Sequence, residues 1–260
     1  MNMNAMIDKN QVAQRFAQAH QSYDEHAWAQ QKICQNLYAL LQQYLTSKSL
    51  HAVLDIGCGS GNMSRLLEQH LNIEQLFLND LYLEIQSHFL DLAHAQFLIG
   101  DIEHIDLDMS LDLVVSSSAL QWVQHLDRVF ARIAGQLKPE HLFCFSTFGP
   151  QNLKEIKQLT GHGLRYLSVT ELKQCLEQQG FEVLHLSEDF YVMSFEHAKQ
   201  VLKHLKATGV TATATNFRWT KNTLNDFYLA YDMLGTQTIH GQPRLPLTYH
   251  PIYCVARRVV

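Results

Sequence analysis

The fold of this chain is decided by the stretch Val53-Leu54-Asp55-Ile56-Gly57-Cys58-Gly59-Ser60-Gly61. It is an apolar strand that runs into a glycine-rich turn and then into a predicted helix. Glycine lacks Cβ, so the backbone of the turn can approach a ligand closely, and the amides that open the helix face that ligand. A dinucleotide-binding turn has the spacing G-x-G-x-x-G, which would require a glycine at Asn62. The spacing here is D-x-G-x-G-x-G.

Around this turn, from residue 51 to 149, short apolar runs alternate with segments of helical periodicity. The predicted strands are Ala52–Ile56, Gln75–Asn79, Gln96–Ile99, Leu111–Ser116 and Leu142–Thr147. The predicted helices between them are Ser60–His70, Leu83–Asp91 and Leu126–Leu137. This alternation predicts an α/β, Rossmann-like fold, with a mostly parallel seven-stranded sheet and helices on both faces.

The two ends of the chain are expected to complete one domain over residues 1–260. Residues 1–50 form N-terminal helices (Lys9–Gln21 and Ala27–Leu45), and residues 51–149 form the cofactor-binding core. Residues 150–246 are a mainly helical insertion that caps the substrate site and contributes one core strand. Its predicted elements are Leu153–Leu159, Val169–Gln179 with Ser168 as N-cap, the strand Phe181–Val192, and Phe195–Ala207. Residues 247–260 supply a final strand, Leu247–Val259, expected to be antiparallel and at the sheet edge.

The D-x-G-x-G-x-G turn resembles that of the class I methyltransferases, which bind S-adenosylmethionine and release S-adenosylhomocysteine. Two further acids end strands where this cofactor needs them. Asp80 can accept hydrogen bonds from both ribose hydroxyls, although it could equally cap the helix that begins at Leu83. Asp101 can accept from the adenine amino group while Ile102 packs on the ring, although a Gly-Asp pair is often only a turn.

After the fourth strand comes Ser116-Ser117-Ser118-Ala119-Leu120-Gln121-Trp122. Ligands of such sheets lie outside the carboxyl ends of the strands, so this segment should face the methionine part of the cofactor. It is not the Asn/Asp-Pro-Pro-aromatic element of many amino-methylating enzymes, which counts against nucleic-acid methylation. The predicted cofactor-binding residues are Arg15, Tyr23, Asp55, Gly57, Cys58, Gly59, Gly61, Asn79, Asp80, Leu81, Asp101, Ile102, Ser116, Ser117 and Leu120.

Over nearly its whole length the chain resembles the malonyl-acyl carrier protein O-methyltransferases, which open the pimeloyl branch of biotin synthesis. Besides the cofactor motifs, the resemblance rests on Arg15-Phe16-Ala17 with Tyr23, Arg165-Tyr166-Leu167, Leu205-Lys206-Ala207-Thr208-Gly209 and Pro246-Leu247-Thr248-Tyr249-His250. It implies that the methyl acceptor is the free carboxylate of a malonyl thioester. A carboxylate is already ionised at neutral pH, so no essential catalytic base is expected.

The resemblance also implies roles for individual residues. Arg165 is expected to pair with the acceptor carboxylate, since an unpaired buried charge is costly and a guanidinium holds a carboxylate in a fixed fork. Without the resemblance, Arg165 would be read as a surface residue. Tyr23 is expected to close over the cofactor near the methyl group, while Tyr249, His250 and Trp122 are expected to line the acyl pocket. Each of these could equally be an ordinary core residue.

The composition bounds the remaining possibilities. Apolar residues make up 47%, charged residues 17% and the net charge is −5, so a generally basic nucleic-acid binder is not expected. No apolar run approaches a membrane span, and the first residues lack a signal peptide, so we expect a cytoplasmic protein with reduced cysteines. No closely spaced His or Cys pair predicts a metal site.

An acidic carrier protein would dock on basic residues. Lys199, Lys203 and Lys206 share one helix face and are the candidates for such a surface.

Two alternatives stay open on the sequence alone. The chain could methylate another small molecule, for example a free carboxylic acid or a quinone precursor. It could also be a non-catalytic protein that binds S-adenosylmethionine.

Overall fold

The computed structural model describes residues 8–15, 27–92, 94–208, 220–234, 237–239 and 242–259. The strands of this part of the chain are β1 (Ser49–Ile56), β2 (Asn72–Asp80), β3 (Gln96–Ile99), β4 (Leu111–Ser117), β5 (Leu137–Phe148), β6 (Phe181–Glu188), β7 (Tyr191–Phe195), β8 (Gln237–Ile239), β9 (Gln242–Tyr249) and β10 (Pro251–Arg258). Tyr23, which the sequence predicts at the cofactor, lies outside the described residues.

Seven of these strands form the central sheet, in the order β3-β2-β1-β4-β5-β10-β6. Strands β1 to β5 pair in parallel, and β10 is antiparallel to both of its neighbours. The predicted α/β class and mostly parallel seven-stranded sheet are therefore confirmed. The predicted edge position of the last strand is wrong, because β10 lies between β5 and β6 and leaves β6 at the edge.

Helices cover both faces of this sheet. They are α1 (Trp28–Tyr44), α2 (Asn62–His70), α3 (Leu126–Gln136), α4 (Lys154–Thr160), α5 (Val169–Gln178), α6 (Ala198–Ala207) and α7 (Lys221–Asp232), and residues 9–15 are also helical. Leu83–Phe89 is a 3-10 helix rather than an α-helix. Helix α5 begins with the predicted cap: the Ser168 side chain accepts from Glu171 N while the Glu171 carboxylate accepts from Ser168 N.

The two faces of β1 show why its buried half, Ala52–Ile56, is mostly apolar. Val53 faces the core shared with α1 and α2, where Ile33, Leu37 and Leu67 are fully buried. Leu54 faces the opposite core, which contains residues of α3 and α5. A parallel strand covered by helices on both faces has no solvent side, so it reads as a continuous apolar run. This burial holds the strand ends, and hence the turn after β1, in fixed positions.

A small second sheet, of order β7-β9-β8, is absent from the sequence prediction. The predicted strand Phe181–Val192 is in fact two strands, β6 and β7, and Leu247–Val259 is also two, β9 and β10. In both cases the chain leaves one sheet and enters the other, and His250 lies at the second crossing. There the His250 carbonyl accepts from Gly149 N at 2.7 Å, which ties the crossing to the end of β5.

None of the described helices is long and apolar enough to cross a membrane. The five cysteines are free thiols, as predicted, and four of them are buried.

Candidate active site

The turn between β1 and α2 has three glycines in the left-handed region, with φ of 68° at Gly57, 52° at Gly59 and 86° at Gly61. A Cβ on Gly57 would come within 2.2 Å of the Ala119 Cβ, so the glycine lets the turn pack against the segment after β4. A Cβ on Gly59 would meet no atom of the described residues within 4 Å. The space in front of Gly59 is therefore an open cradle that a ligand can fill.

Asp55 holds the start of this turn against α2. It is buried, with 1% of its surface exposed, and accepts a hydrogen bond of 2.6 Å from the Ser64 hydroxyl on α2. Burial is the main cause that raises the pKa of the Asp55 carboxyl to about 7, partly offset by the Ser64 bond. Asp55 therefore joins the end of β1 to α2 and does not line the adjoining cleft.

Asp80 stands at the end of the neighbouring strand β2. Its Oδ2 accepts from Gly59 N at 2.9 Å and its Oδ1 accepts from Leu81 N at 2.7 Å. Burial raises the pKa of Asp80 to about 6, although both backbone bonds favour the ionised form. Each carboxylate oxygen has a second lone pair, so Asp80 can accept two further hydrogen bonds. A ribose with adjacent hydroxyls offers those two donors.

A cleft of about 880 Å³ opens between this turn and the carboxyl ends of the strands. Of the predicted cofactor residues, it is lined by Gly57, Gly59, Asn79, Asp80, Leu81, Asp101, Ile102, Ser117 and Leu120. Trp122, predicted at the acyl pocket, lines this cleft as well. Lining residues that the sequence analysis missed include Lys9, Val12, Ser60 and Val123, and Ser118, in the segment expected to face the cofactor, lines the cleft as well.

The other described residues of the predicted cofactor set are not among those that line the cleft. They are Arg15, Asp55, Cys58, Gly61 and Ser116. The Ser116 hydroxyl donates to the Ile56 carbonyl at 2.9 Å, which joins β4 to β1. Cys58 is buried, and burial is the main cause that raises the pKa of its thiol well above the ordinary value.

The end of the cleft at β3 is closed by an ion pair that has no local sequence signal. Lys9 Nζ lies 2.6 Å from Asp101 Oδ2 and also donates to the Glu103 carboxylate. Burial raises the pKa of Asp101, but hydrogen bonds from Lys9 and from Glu103 N outweigh it and leave the pKa below the ordinary value. Asp101 is thus ionised at neutral pH, and both of its carboxylate oxygens accept from Lys9.

A second pocket of about 370 Å³ adjoins the cleft, and Ser118 and Trp122 line both. Its walls are aromatic, aliphatic and uncharged polar side chains. The described residues that line it are Gln30, Ser118, Gln121, Trp122, Phe148, Asn152, Leu164, Tyr166, Thr208 and Tyr249. A molecule in this pocket would meet a molecule in the cleft at Ser118.

Of the predicted acyl-pocket residues, Tyr249 does line the second pocket, and its hydroxyl lies 2.7 Å from His204 Nε2. His250 is buried behind the pocket, where its Nδ1 accepts from Gln151 N and its Nε2 lies 2.9 Å from Glu188 Oε2. The Arg165 side chain is 70% exposed and lies 3.9 Å from Glu171. Its neighbours Leu164 and Tyr166 line the pocket, whereas Arg165 is not among the lining residues.

The cleft fits S-adenosylmethionine. The open cradle at Gly59 admits the amino-acid end, Asp80 has lone pairs for a ribose, and Ile102 supplies an apolar surface beside Asp101. A family model described as a methyltransferase domain matches residues 21–186. A solved putative methyltransferase from Bacillus halodurans has the same fold, with a TM-score of 0.63 and 16% identity over 86% of this chain and 99% of that one. The fold and the cleft define a class I, S-adenosylmethionine-dependent methyltransferase.

Two relatives identify the particular family within this class. A malonyl-[acyl-carrier protein] O-methyltransferase from Acinetobacter baylyi is 45% identical over 97% of this chain and 98% of its own length. One of the same name from Bacteroides fragilis is 40% identical over 98% of this chain, which spans 51% of that longer protein. The chain belongs to the malonyl-[acyl-carrier protein] O-methyltransferase family.

Proposed function

We propose that this enzyme transfers the methyl group of S-adenosylmethionine to the free carboxylate of malonyl-acyl carrier protein. The product would be the malonyl methyl ester that primes pimeloyl synthesis for biotin. The observation that carries the proposal is the pair of adjoining pockets, one suited to the cofactor and one mainly apolar, which meet at Ser118 and Trp122. The names of the full-length relatives supply the acceptor.

The reaction requires little from the protein beyond alignment of the acceptor with the cofactor. Bound S-adenosylmethionine supplies a methyl group on a cationic sulfur. The acceptor carboxylate is ionised at neutral pH, so the chain need not remove a proton. Its residues need only hold one carboxylate oxygen in line with the methyl and sulfur atoms and keep water out. The aromatic wall of the second pocket, formed by Phe148, Tyr166 and Tyr249, suits both tasks.

We also propose that residues 150–246 select the acceptor and that an acidic carrier protein docks on α6. Lys199, Lys203 and Lys206 are exposed on this helix, while Ala198, Val201 and Leu205 pack into the core. Thr208, directly after the helix, lines the second pocket. The basic face of α6 therefore leads toward the place where an acyl arm would enter, and such complementary charge speeds and orients association. We place the reaction in the cytoplasm.

The acceptor is tested by supplying labelled S-adenosylmethionine with malonyl-acyl carrier protein, malonyl-CoA and free dicarboxylic acids. We expect label in the methyl ester of a malonyl thioester, with the carrier-bound form preferred. Label only in a free acid would replace this acceptor by another small molecule. Growth of a biotin-requiring strain that lacks this methylation step provides the matching test in cells.

The docking surface is tested by replacing Lys199, Lys203 and Lys206 together with glutamate. The kcat/KM for malonyl-acyl carrier protein should fall by at least about tenfold, while that for malonyl-pantetheine should change little. Lys48→Glu is the control, because Lys48 is exposed beside the start of β1, whereas the cleft lies at the carboxyl ends of the strands. An equal loss with both acceptors would contradict a docking role.

A further inference from the structure

The polar groups of the second pocket fall into two sets. The Tyr249 hydroxyl is bonded to His204, and the Tyr166 hydroxyl accepts from Asn152 at 3.0 Å. In contrast, the Ser118 hydroxyl and the side-chain oxygens of Gln30 and Gln121 are buried, and no hydrogen-bond partner for them exists among the described residues. A buried polar atom without a partner is unfavourable, so such atoms in one pocket point to a ligand that completes them.

Ser118 differs from the other members of this set in its position and in its backbone conformation. It follows β4 with φ of 56°, in the left-handed region that a non-glycine residue seldom adopts. Its N–H is held by the Ser146 carbonyl and hydroxyl, each at 3.1 Å, and its carbonyl accepts from Gln121 Nε2. The hydroxyl lies on the wall shared by the cleft and the second pocket. Backbone strain kept by several bonds at such a place is typical of a functional residue.

Gln30 lies on α1 with only 8% of its surface exposed. Its amide can turn either its oxygen or its NH2 toward the pocket, because the two ends have nearly the same shape. Gln121 lacks this choice, because its Nε2 donates one hydrogen to the Ser118 carbonyl and this bond fixes which way the amide faces. Ser118 and Gln30 are therefore the two members of the set whose side chains are free to turn a donor toward a carboxylate.

The lining of the second pocket carries no charged side chain among the described residues. During the proposed reaction the carboxylate oxygen bonds to the methyl carbon, the methyl–sulfur bond breaks, and its electron pair stays on sulfur. An anion and a cation thus become a neutral ester and a neutral thioether, with no proton transferred. A protein cation against the carboxylate would stabilise the charged ground state more than the transition state and slow the step. Uncharged donors align the oxygen without that penalty.

We propose that Ser118 and Gln30 hold the acceptor carboxylate in an uncharged pocket, where the sulfonium of the cofactor is its counter-charge. This rests on the proposed function and adds the residues that position the acceptor. In this proposal Arg165 contacts neither the acceptor carboxylate nor the sulfonium of the cofactor, in keeping with its exposed side chain. The exposed guanidinium, between two pocket-lining residues, is available to the anionic arm or surface of a carrier.

The test compares Ser118→Ala with Ser118→Gly. Both substitutions remove the hydroxyl, but only glycine adopts the positive φ without strain. Equal effects of the two would therefore assign the loss of turnover to the missing hydroxyl. We expect kcat/KM for malonyl-pantetheine to fall about 10- to 100-fold in both, with the cofactor Kd within about threefold of the parent value. Gln30→Met, of similar shape, should cause a smaller loss of the same kind.

Gln30→Lys provides the second measurement. If the pocket works because it is uncharged, a cation here lowers KM for malonyl-pantetheine and also lowers kcat. A rise in kcat would overturn the proposal, and so would parent-like turnover in both Ser118 variants. If Arg165 instead holds the carboxylate, Arg165→Ala alone loses turnover of malonyl-pantetheine, which also contradicts the inference. Failure of the unmodified enzyme to methylate any malonyl thioester would contradict the proposed function itself, so the two failures are distinguishable.

Discussion

The backbone N–H of Gly59 donates to Asp80 Oδ2 at 2.9 Å, which joins the turn after β1 to the carboxylate that ends β2. This bond fixes the carboxylate beside the open cradle and leaves lone pairs for the cofactor. The two predicted cofactor motifs are therefore one structural unit.

Replacement of Asp80 by asparagine should weaken cofactor binding through this unit. The amide of the variant would keep one acceptor oxygen but lose the charge and one of the two positions that can accept from ribose. Because hydrogen bonds to a charged group contribute more than neutral ones, we expect the Kd for S-adenosylmethionine to rise by at least about tenfold. Calorimetry measures this, and exposed Asp108→Asn is the control. Unchanged affinity would remove Asp80 from the ribose site.

The Asp55 carboxyl should make stability depend on pH. Burial raises its pKa to about 7, from an ordinary value near 4, so the folded chain binds a proton that the unfolded chain has lost. Its contribution is greatest below about pH 4, falls as pH rises, and is lost once pH passes about 7. Asp55→Asn should remove this fall, on the order of a few kcal/mol, from unfolding curves of the apo-protein. Parallel pH profiles for the two proteins would contradict the shift.

Two alanine substitutions in the turn should have different consequences. Gly57→Ala would bring its Cβ against Ala119 and should lower the free energy of unfolding by about 1–3 kcal/mol. Gly59→Ala meets no protein atom nearby, so its stability cost should be only that of the positive φ, about 1 kcal/mol. Its methyl would instead occupy the cradle and abolish cofactor binding. A Gly59→Ala protein with parent-like affinity would show that the cradle is not the binding surface.

Removal of the Lys9 charge should loosen the end of the cleft at β3. Lys9→Met leaves Asp101 and Glu103 without their shared partner, and the Glu103 side chain is only 6% exposed. We expect a loss of about 1–3 kcal/mol in unfolding free energy, less at high salt, since these pairs are partly buried. Lys32→Met on the exposed side of α1 is the matched control. An equal effect of both substitutions would assign the loss to net charge.

Local signals in the sequence were enough for the parallel strands β1 to β5, the glycine turn after β1 and the cap of α5. The glycine spacing after Asp55 and the Ser168 cap are set by a few adjacent residues, and the structure bears out their conformations. The crossings at 189–190 and at His250 were missed, although the polar run Ser187-Glu188-Asp189 interrupts the first apolar pattern and Pro251 follows His250. Helix α7 and the small sheet were missed as well.

Contacts between distant residues had no such signal. Lys9 meets Asp101 only because the N-terminal helix folds over the end of β3, which no local pattern encodes. Arg165 was chosen from the resemblance and for its charge, and the exposure of its side chain could not be read from one sequence. One signal was available: Gln30 shares the buried face of α1 with Ile33 and Leu37, and a polar residue on an apolar stripe indicates a partner or a ligand.

The interior position of β10 has a consequence for how the chain folds. This strand is translated last among the seven, yet it separates β5 from β6. Until it is inserted, neither neighbour has its partner, and both keep open hydrogen-bonding edges. Pairing across such a separation carries a large loop-closure entropy, so we infer that insertion of β10 is a late and slow step of folding. During that interval the exposed edges of β5 and β6 are where the nascent protein is most liable to aggregate.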